Sequence, residues 1–535
     1  MRPQFEESMH TFDLSYLDIA IVLAYIIGVL ILGFYFGGKH EDAEDYFLAG
    51  RNLTWPLIGF SLFASNISSN SIIGLTGSGY AEGAGFSVYS YEWMAIVVLL
   101  IFAIFFLPFY LKNRIYTIPE YLERRYDYKS RAYASVVAII LNVLVDISAT
   151  LYAGGIVIQR IFPSFPLWMV IALLAVIAGI YTISGGLTAV VYTDAVQAVI
   201  LIIGSIIITY YAWDKSGGFS AVLKITDPSH FDIIKPATDS ELPWPGLFTG
   251  VLLLGFYFWG TNQYITQRAL AARTTTEGQW GSIFAGFLKI SILFIMIMPG
   301  AFARVLYPNL ENNVDLVYPT MMFDLLPVGV LGLVLSGLIA AMMSSIDSGL
   351  NSVSTLVTMD LYKKLRPEKS NEELMGIGRW ITFIVMLIAV IWAPQIQYFT
   401  KLWDYLQQAL SWFAPPVVAL FVVGLFWKRA NAKGALWCII VGAIISVFAI
   451  IFNDAPWKPH FLYVTGIHFA ICCIAHYIGS MLGEAPSAEV VENTVWSPAS
   501  YHKETMELKQ MAWYKNYRYQ GAMLIMIIIV ILIIF

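Results

Sequence analysis

The chain has 535 residues, 58% of them hydrophobic and only 13% charged, with a mean hydropathy of +0.70. Those values argue against a soluble globular enzyme and mark an all-α polytopic membrane protein. A net charge of −5 with no basic run gives no sign of a nucleic-acid partner.

In chain order, a short polar and slightly acidic start leads into an apolar run over 16–36 that is long enough to span a bilayer. Arg2 is the sole cation before it and no small-residue cleavage site follows, so a retained helix is expected rather than a signal peptide. Further apolar spans fall near 53–80, 86–111, 132–160, 166–183, 188–212, 246–267, 278–305, 327–361, 376–393, 402–427, 433–452, 457–482 and 517–535. Together they predict about fourteen transmembrane helices. The polar insertions are an outer loop over 213–245 and an inner one over 483–516 with room for a short surface helix.

The second span is unusual. FSLFASNISSNSIIGLTGSGY, from Phe60 to Tyr80, carries Ser65, Asn66, Ser68, Ser69, Asn70, Ser71 and Thr76, with Gly74, Gly77 and Gly79 close by. Polar groups at membrane depth must be satisfied by protein or by a water-filled cavity, so this pattern predicts a helix with unwound backbone beside a cavity. The alternative is an intact helix with small residues on a packing face. A run of polar residues that surrounds the helix favours the cavity.

GVLLLGFYFWGTNQYITQR is interrupted in the same way by Gly255, Gly260, Thr261 and Asn262. It opens a second set of five spans, 246–427, that corresponds to the first set, 53–212. An odd number of crossings makes the second set enter from the opposite side, which is the pattern of an inverted-repeat transporter. Residues 1–52 then form a peripheral helix and inner loop, 213–245 an external loop, and 428–535 the C-terminal peripheral helices.

Basic residues set the orientation. With the N-terminus outside, the inner loops hold Lys112, Arg114, Arg124, Arg125, Lys129, Arg131, Arg268, Arg273, Lys363, Lys364, Arg366, Lys369, Arg379, Lys428, Arg429 and Lys433. The outer loops hold scattered cations such as Arg160, Lys215 and Lys235. The positive-inside rule therefore places both termini outside.

Enzyme chemistry finds no support. Cys438, Cys472 and Cys473 all lie in apolar runs without metal-type spacing, and the seven histidines form no ligand cluster. A channel is the other rival, but paired broken helices fit alternating access better.

Ten segments carry a resemblance: EDYFLAGRNL (44–53), ASNIS (64–68), YEWM (91–94), IYTIPEYLERRY (115–126), YTISGGLTAVVYTDAVQ (181–197), LPWPG (242–246), NQYITQRALAA (262–272), MSSIDSGLNSVSTLVTMDLY (343–362), LWDYLQQ (402–408) and LFWKRANAKGA (425–435). In order and over nearly the whole chain, they resemble the sodium:solute symporter family. LPWPG, YEWM, LWDYLQ and PGAFARVLYPN (299–309) are most similar to its sodium/glucose and sodium/myo-inositol cotransporter branch. The resemblance implies a LeuT-type five-plus-five fold and a plasma-membrane location, the inner membrane in a Gram-negative cell. It further implies alternating-access uptake of a hexose- or inositol-type solute driven by sodium, with sodium symport of a carboxylate, a sialic acid or an amino acid as the alternative.

It also implies a sodium site made of the carbonyls of Ala64, Ile67 and Ala341 and the hydroxyls of Ser344 and Ser345. Several neutral oxygens suit a hard cation that must also leave. The rival reading has both serines bonding back to their own helix. For the solute, Glu92 and Lys289 are charges inside apolar spans, functional by default, although a structural pair between them is the alternative. Gln407 matches a sugar-binding glutamine of the branch, Trp403 offers a flat wall, and Phe258 beside Trp259 stands in the place of an inner-gate tyrosine. Asn66 and Tyr91 complete the expected cavity.

Three positions depart from the branch. Ser71 is shorter than its counterparts, and Gly255 and Asp146 replace asparagines, so the pocket is expected to be roomier and to gain a carboxylate. A second sodium position is a further expectation, at Asp194 and the helical face of Ser344, Asp347 and Ser348. Asp347 replaces a hydroxyl residue there and either strengthens sodium binding or shares a proton. Against it stands an Asp194 solvated at the inner mouth or capping a helix.

Overall fold

The computed structural model describes residues 14–38, 42–398, 402–453 and 459–535. Among them, eleven helices are long and apolar enough to cross a membrane, against the fourteen expected. The difference has a physical cause: Leu167–Ile183 is short, and the spans expected over 53–80 and 246–267 are broken into pieces. Strand structure among the described residues is limited to two isolated bridges.

Helix ends follow local chemistry. Ser370 and Glu373 form a reciprocal capping box at the start of Asn371–Trp392, which satisfies two first-turn amides. Ser15 caps Tyr16–Gly37 by accepting from the Asp18 amide, 3.1 Å away. The Asp18 carboxylate reaches across to the amides of Gly329 and Gly332, at 2.8 and 2.7 Å, and ties the first helix to the start of Val330–Thr355. Leu167–Ser216 bends at Gly186, whose φ of +52° suits glycine. A Cβ there would lie 2.3 Å from the Tyr46 carbonyl oxygen, so close approach also demands glycine.

Val330–Thr355 is the central element, buried along almost its whole length. The helices Tyr16–Gly37, Ala432–Ile451, Phe461–Met481 and Tyr517–Ile534 are mostly unburied and present exposed Leu, Ile, Val and Phe side chains outward, as lipid-facing helices do. The start of the first interrupted span meets the chain just past the end of the second: the Leu53 amide donates to the Ala271 carbonyl and the Arg273 amide to the Leu53 carbonyl, each at 3.0 Å. The 213–245 insertion carries Phe219–Ile225 and a short turn at Pro228–Phe231. The 483–516 insertion carries two helices, Ala488–Thr494 and Pro498–Lys509, rather than one.

Candidate functional site

The first break lies where the serine and asparagine run predicts it. Trp55–Asn66 ends, Ile67 and Ser68 are extended, and Ser69–Tyr80 begins with Ser68 as its cap. Local side chains outcompete the helix here: Ser71 donates its hydroxyl to the Asn66 carbonyl at 3.3 Å and its amide to Asn70 Oδ1 at 3.0 Å. The second break falls at Asn262, extended between Tyr257–Thr261 and Gln263–Leu270. Tyr264, just after it, donates to the Ser65 carbonyl at 2.7 Å and joins the two breaks directly.

Beside these breaks is a cavity of about 120 Å³. Asn66, Ser71, Tyr91, Glu92, Asp146, Phe258, Trp259, Lys289 and Gln407 all line it, so tertiary structure gathers nine expected solute contacts from six separate stretches of chain. Trp403 lies in Leu402–Phe426, but its side chain is outside the described residues. Lys289, 1% exposed, pairs with Glu92, donates to Asn66 Oδ1 and sits 4.7 Å from the centre of the Trp259 ring. Asp146 keeps one carboxylate oxygen without a hydrogen-bond partner. Phe258 packs between Trp259 and Tyr264, with ring centroids 5.5 and 5.9 Å apart.

Ser68 and Asn70, from the polar run expected beside a cavity, also line it, whereas sequence reasoning missed Thr150 and Tyr264. Tyr264 had a signal, because it follows the Asn262 break by two positions. Thr150 had none, since it comes from the middle of an apolar helix.

On the other side of the first break, Ser344 Oγ is 2.9 Å from the Ala64 carbonyl oxygen and 3.1 Å from that of Ala341. Ser345 Oγ is 3.3 Å from the Ser65 carbonyl oxygen. Three of the expected oxygen donors thus converge, and the Ser344 hydroxyl touches both the facing helix and its own. A neutral oxygen set of this kind suits a hard monovalent cation.

One turn further along Val330–Thr355, the arrangement holds a surprise for the sequence reading. Arg268, counted above with the inner-loop cations, is fully buried, and its guanidinium lies 3.2 Å from Asp194 Oδ2. It also donates to Ser348 Oγ and, through Nε at 2.7 Å, to Ser61 Oγ. Asp194 accepts from Ser61 at 2.5 Å and from Ser65 at 3.1 Å, so it is buried and bonded rather than solvated at a mouth. Asp347 accepts from Tyr181 and is 3.2 Å from Ser348 Oγ. Asp194 thus pairs with the guanidinium directly, and Asp347 is linked to it through the Ser348 hydroxyl.

The sodium:solute symporter family model matches residues 46–442. The chain is 34% identical to sodium/glucose cotransporter 4 of Danio rerio, over 95% of this chain and 85% of that protein. It is also 34% identical to sodium/myo-inositol cotransporter 2 of Oryctolagus cuniculus, over 90% of this chain and 78% of the relative. Among solved structures, a substrate-bound, outward-open Na+-coupled sialic acid symporter superposes with a TM-score of 0.79 at 24% identity, covering 88% of this chain and 99% of that one. A nucleobase-cation-symport-1 family transporter superposes at 0.59 and 11% identity, covering 85% and 99%. At those identities the likeness is one of fold, the LeuT-type arrangement of Na+-coupled transporters.

Proposed function

Because the chain belongs to the sodium:solute symporter family, we propose that it is a multi-pass plasma-membrane transporter that couples inward sodium flow to uptake of a neutral polyhydroxylated solute, a hexose or an inositol. The observation that carries this reading is the junction of the two breaks. A neutral oxygen set lies on one side of Ser65 and a polar, aromatic-walled cavity on the other, so ion and solute occupancy bias the same unwound backbone.

In this reading sodium is held by the Ala64, Ile67 and Ala341 carbonyls with Ser344 and Ser345. Gln407, Asn66, Ser71 and Tyr91 donate to or accept from solute hydroxyls, and the free Asp146 oxygen accepts one. Glu92 and Lys289 exchange their mutual pairing for hydroxyl contacts as the solute enters, and Phe258, Trp259 and Trp403 flank the ring. With Glu92 paired to Lys289, Asp146 leaves the lining one acidic group in excess, which disfavours a carboxylate or sialic acid as cargo. Residues 53–212 and 246–427 act as the inverted repeats that rock against each other. Both termini lie outside, on the remaining excess of inner-loop cations.

Proteoliposomes loaded with a sodium gradient test this directly. Uptake of labelled hexoses or inositols is expected with the gradient and not in sodium-free buffer. Gradient-independent flux, or uptake confined to carboxylates and amino acids, overturns it.

A further inference from the structure

We propose that a pocket on the basic face of the protein, between the end of Ile118–Arg125 and the start of Ala432–Ile451, binds a phosphate group, carried by an anionic phospholipid headgroup or by a free phosphate ion. The pocket has a volume of about 540 Å³, is separate from the solute cavity and shares no lining residue with it. That volume falls within the range of small-molecule sites, about 300–1,000 Å³.

The strongest pointer is Arg125. Its side chain is 2% exposed, it lines the pocket, and no carboxylate pairs with it among the described residues. Nε donates to the Gly424 carbonyl at 2.8 Å and Nη2 to those of Trp427 at 2.9 Å and Lys428 at 3.4 Å, the guanidinium lies 5.2 Å from the Tyr126 ring centroid, and Nη1 has no hydrogen-bond partner. Carbonyls at a helix C-terminus offset part of a positive charge. A buried guanidinium with an idle nitrogen remains costly until an anion neutralises it.

The rest of the lining has the same sign. Arg124 and Lys433 add two cations against the single carboxylate of Glu484. Arg124 is already paired with Glu120 at 2.7 Å, but Lys433 spends only one donor, on the Leu482 carbonyl at 3.0 Å. Asn431, Ala432 and Lys433 bring the positive end of a 20-residue helix to the pocket wall. Fork-shaped guanidinium donors with a nearby ammonium match the several oxygens of a phosphate.

The setting fits a headgroup as well as a free ion. Trp427, whose carbonyl accepts from Arg125, stacks on the exposed Tyr477, with ring centroids 5.2 Å apart at 23°. Aromatic side chains of this kind gather at the level of lipid headgroups, and basic pockets between membrane helices take anionic ones.

The full chain, purified in detergent and stripped of lipid, provides the test. Phosphatidylglycerol and phosphatidylcholine are titrated in separate native mass spectrometry experiments, and inorganic phosphate is compared with chloride at equal ionic strength by thermal melting. The wild type is expected to retain one phosphatidylglycerol in preference to phosphatidylcholine. Lys433→Glu, an exposed change that spares the Arg125 bonds, should weaken that retention by about thirtyfold, since each basic group near the headgroup contributes roughly fivefold and reversal removes two such units. Arg125→Gln should weaken it too, provided the variant still folds. Stabilisation by inorganic phosphate that Lys433→Glu abolishes assigns the pocket to the free ion. A phosphatidylglycerol preference without a phosphate response assigns it to the headgroup. Equal retention of both lipids with no phosphate response, or responses that Lys433→Glu leaves unchanged, overturns the proposal.

Discussion

Arg268 and Asp194 form an ion pair at 3.2 Å in which neither side chain is exposed to solvent. The pair joins the helix after the second break to the middle of Leu167–Ser216, while Ser61 and Ser348 bond to the same guanidinium from the first broken helix and from Val330–Thr355. Four elements thus meet at one buried charge, one helical turn from the Ser344 hydroxyl.

Removing the cation alone leaves the buried Asp194 carboxylate without its ion-pair partner. Arg268→Gln should therefore lower stability by about 3–5 kcal/mol. Asp194→Asn combined with Arg268→Gln should recover part of that loss. Denaturation of the purified variants in detergent checks the coupling, and additive losses would show that the pair is not acting as a unit.

The same cluster has two acids for one base, so a second sodium beside Asp347 is the proposed source of the missing positive charge. The sodium dependence of uptake should then have a Hill coefficient above about one. Asp347→Ala should bring it to about one while Ser344 and Ser345 sustain residual binding. A hyperbolic wild-type curve at every pH, unaltered in shape by the substitution, leaves a single coupling ion.

Lys289 and Glu92 are paired, and the roles of clip and ligand separate experimentally. Lys289→Ala should abolish uptake and also destabilise the fold by leaving Glu92 unpaired, by about 3 kcal/mol. Adding Glu92→Ala should restore much of the melting temperature but none of the transport. Full uptake by the double variant would reduce the pair to a structural contact.

Phe258 lines the cavity against Trp259 and Tyr264, and its proposed role is that of a lid acting by area and stacking. Phe258→Ala should weaken solute retention by about tenfold, in line with the loss of one aromatic contact, whereas Phe258→Tyr should come close to the wild type. Equal solute dissociation rates in the two variants contradict a lid.

His230 belongs to the 213–245 insertion, where its Nε2 is 2.9 Å from the Gly79 carbonyl oxygen. Burial pushes its imidazole down from the usual 6.5 to about 4. The folded value lies below the unfolded one, so the neutral ring is preferred in the fold. Its contribution is complete above about pH 6.5 and is lost as the pH falls through about 4, amounting to about 3 kcal/mol at the low end. The melting temperature should fall over that window, and His230→Gln should flatten that part of the profile while keeping a donor toward Gly79.

The sequence by itself determined what local and compositional physics can determine. Apolar length placed most spans within a few residues, because a helix that faces lipid on one side needs about twenty apolar residues whatever its neighbours are. The two breaks were legible too, since the serines and asparagines that unwind residues 67–68 act on backbone only a few positions away. Glu92 and Lys289 stood out because an isolated charge in an apolar run is costly. That they pair across 197 positions depends on the packing of their helices, which no local stretch of sequence encodes. Arg268 went further astray. Hydropathy and the positive-inside rule treat every arginine near a span end as a loop cation, whereas its true position depends on Asp194, 74 residues away, being present to receive it. The Arg125 pocket was invisible for the same reason: its walls come from three distant segments, and a guanidinium left without a carboxylate is a property of their assembly, not of any stretch of sequence.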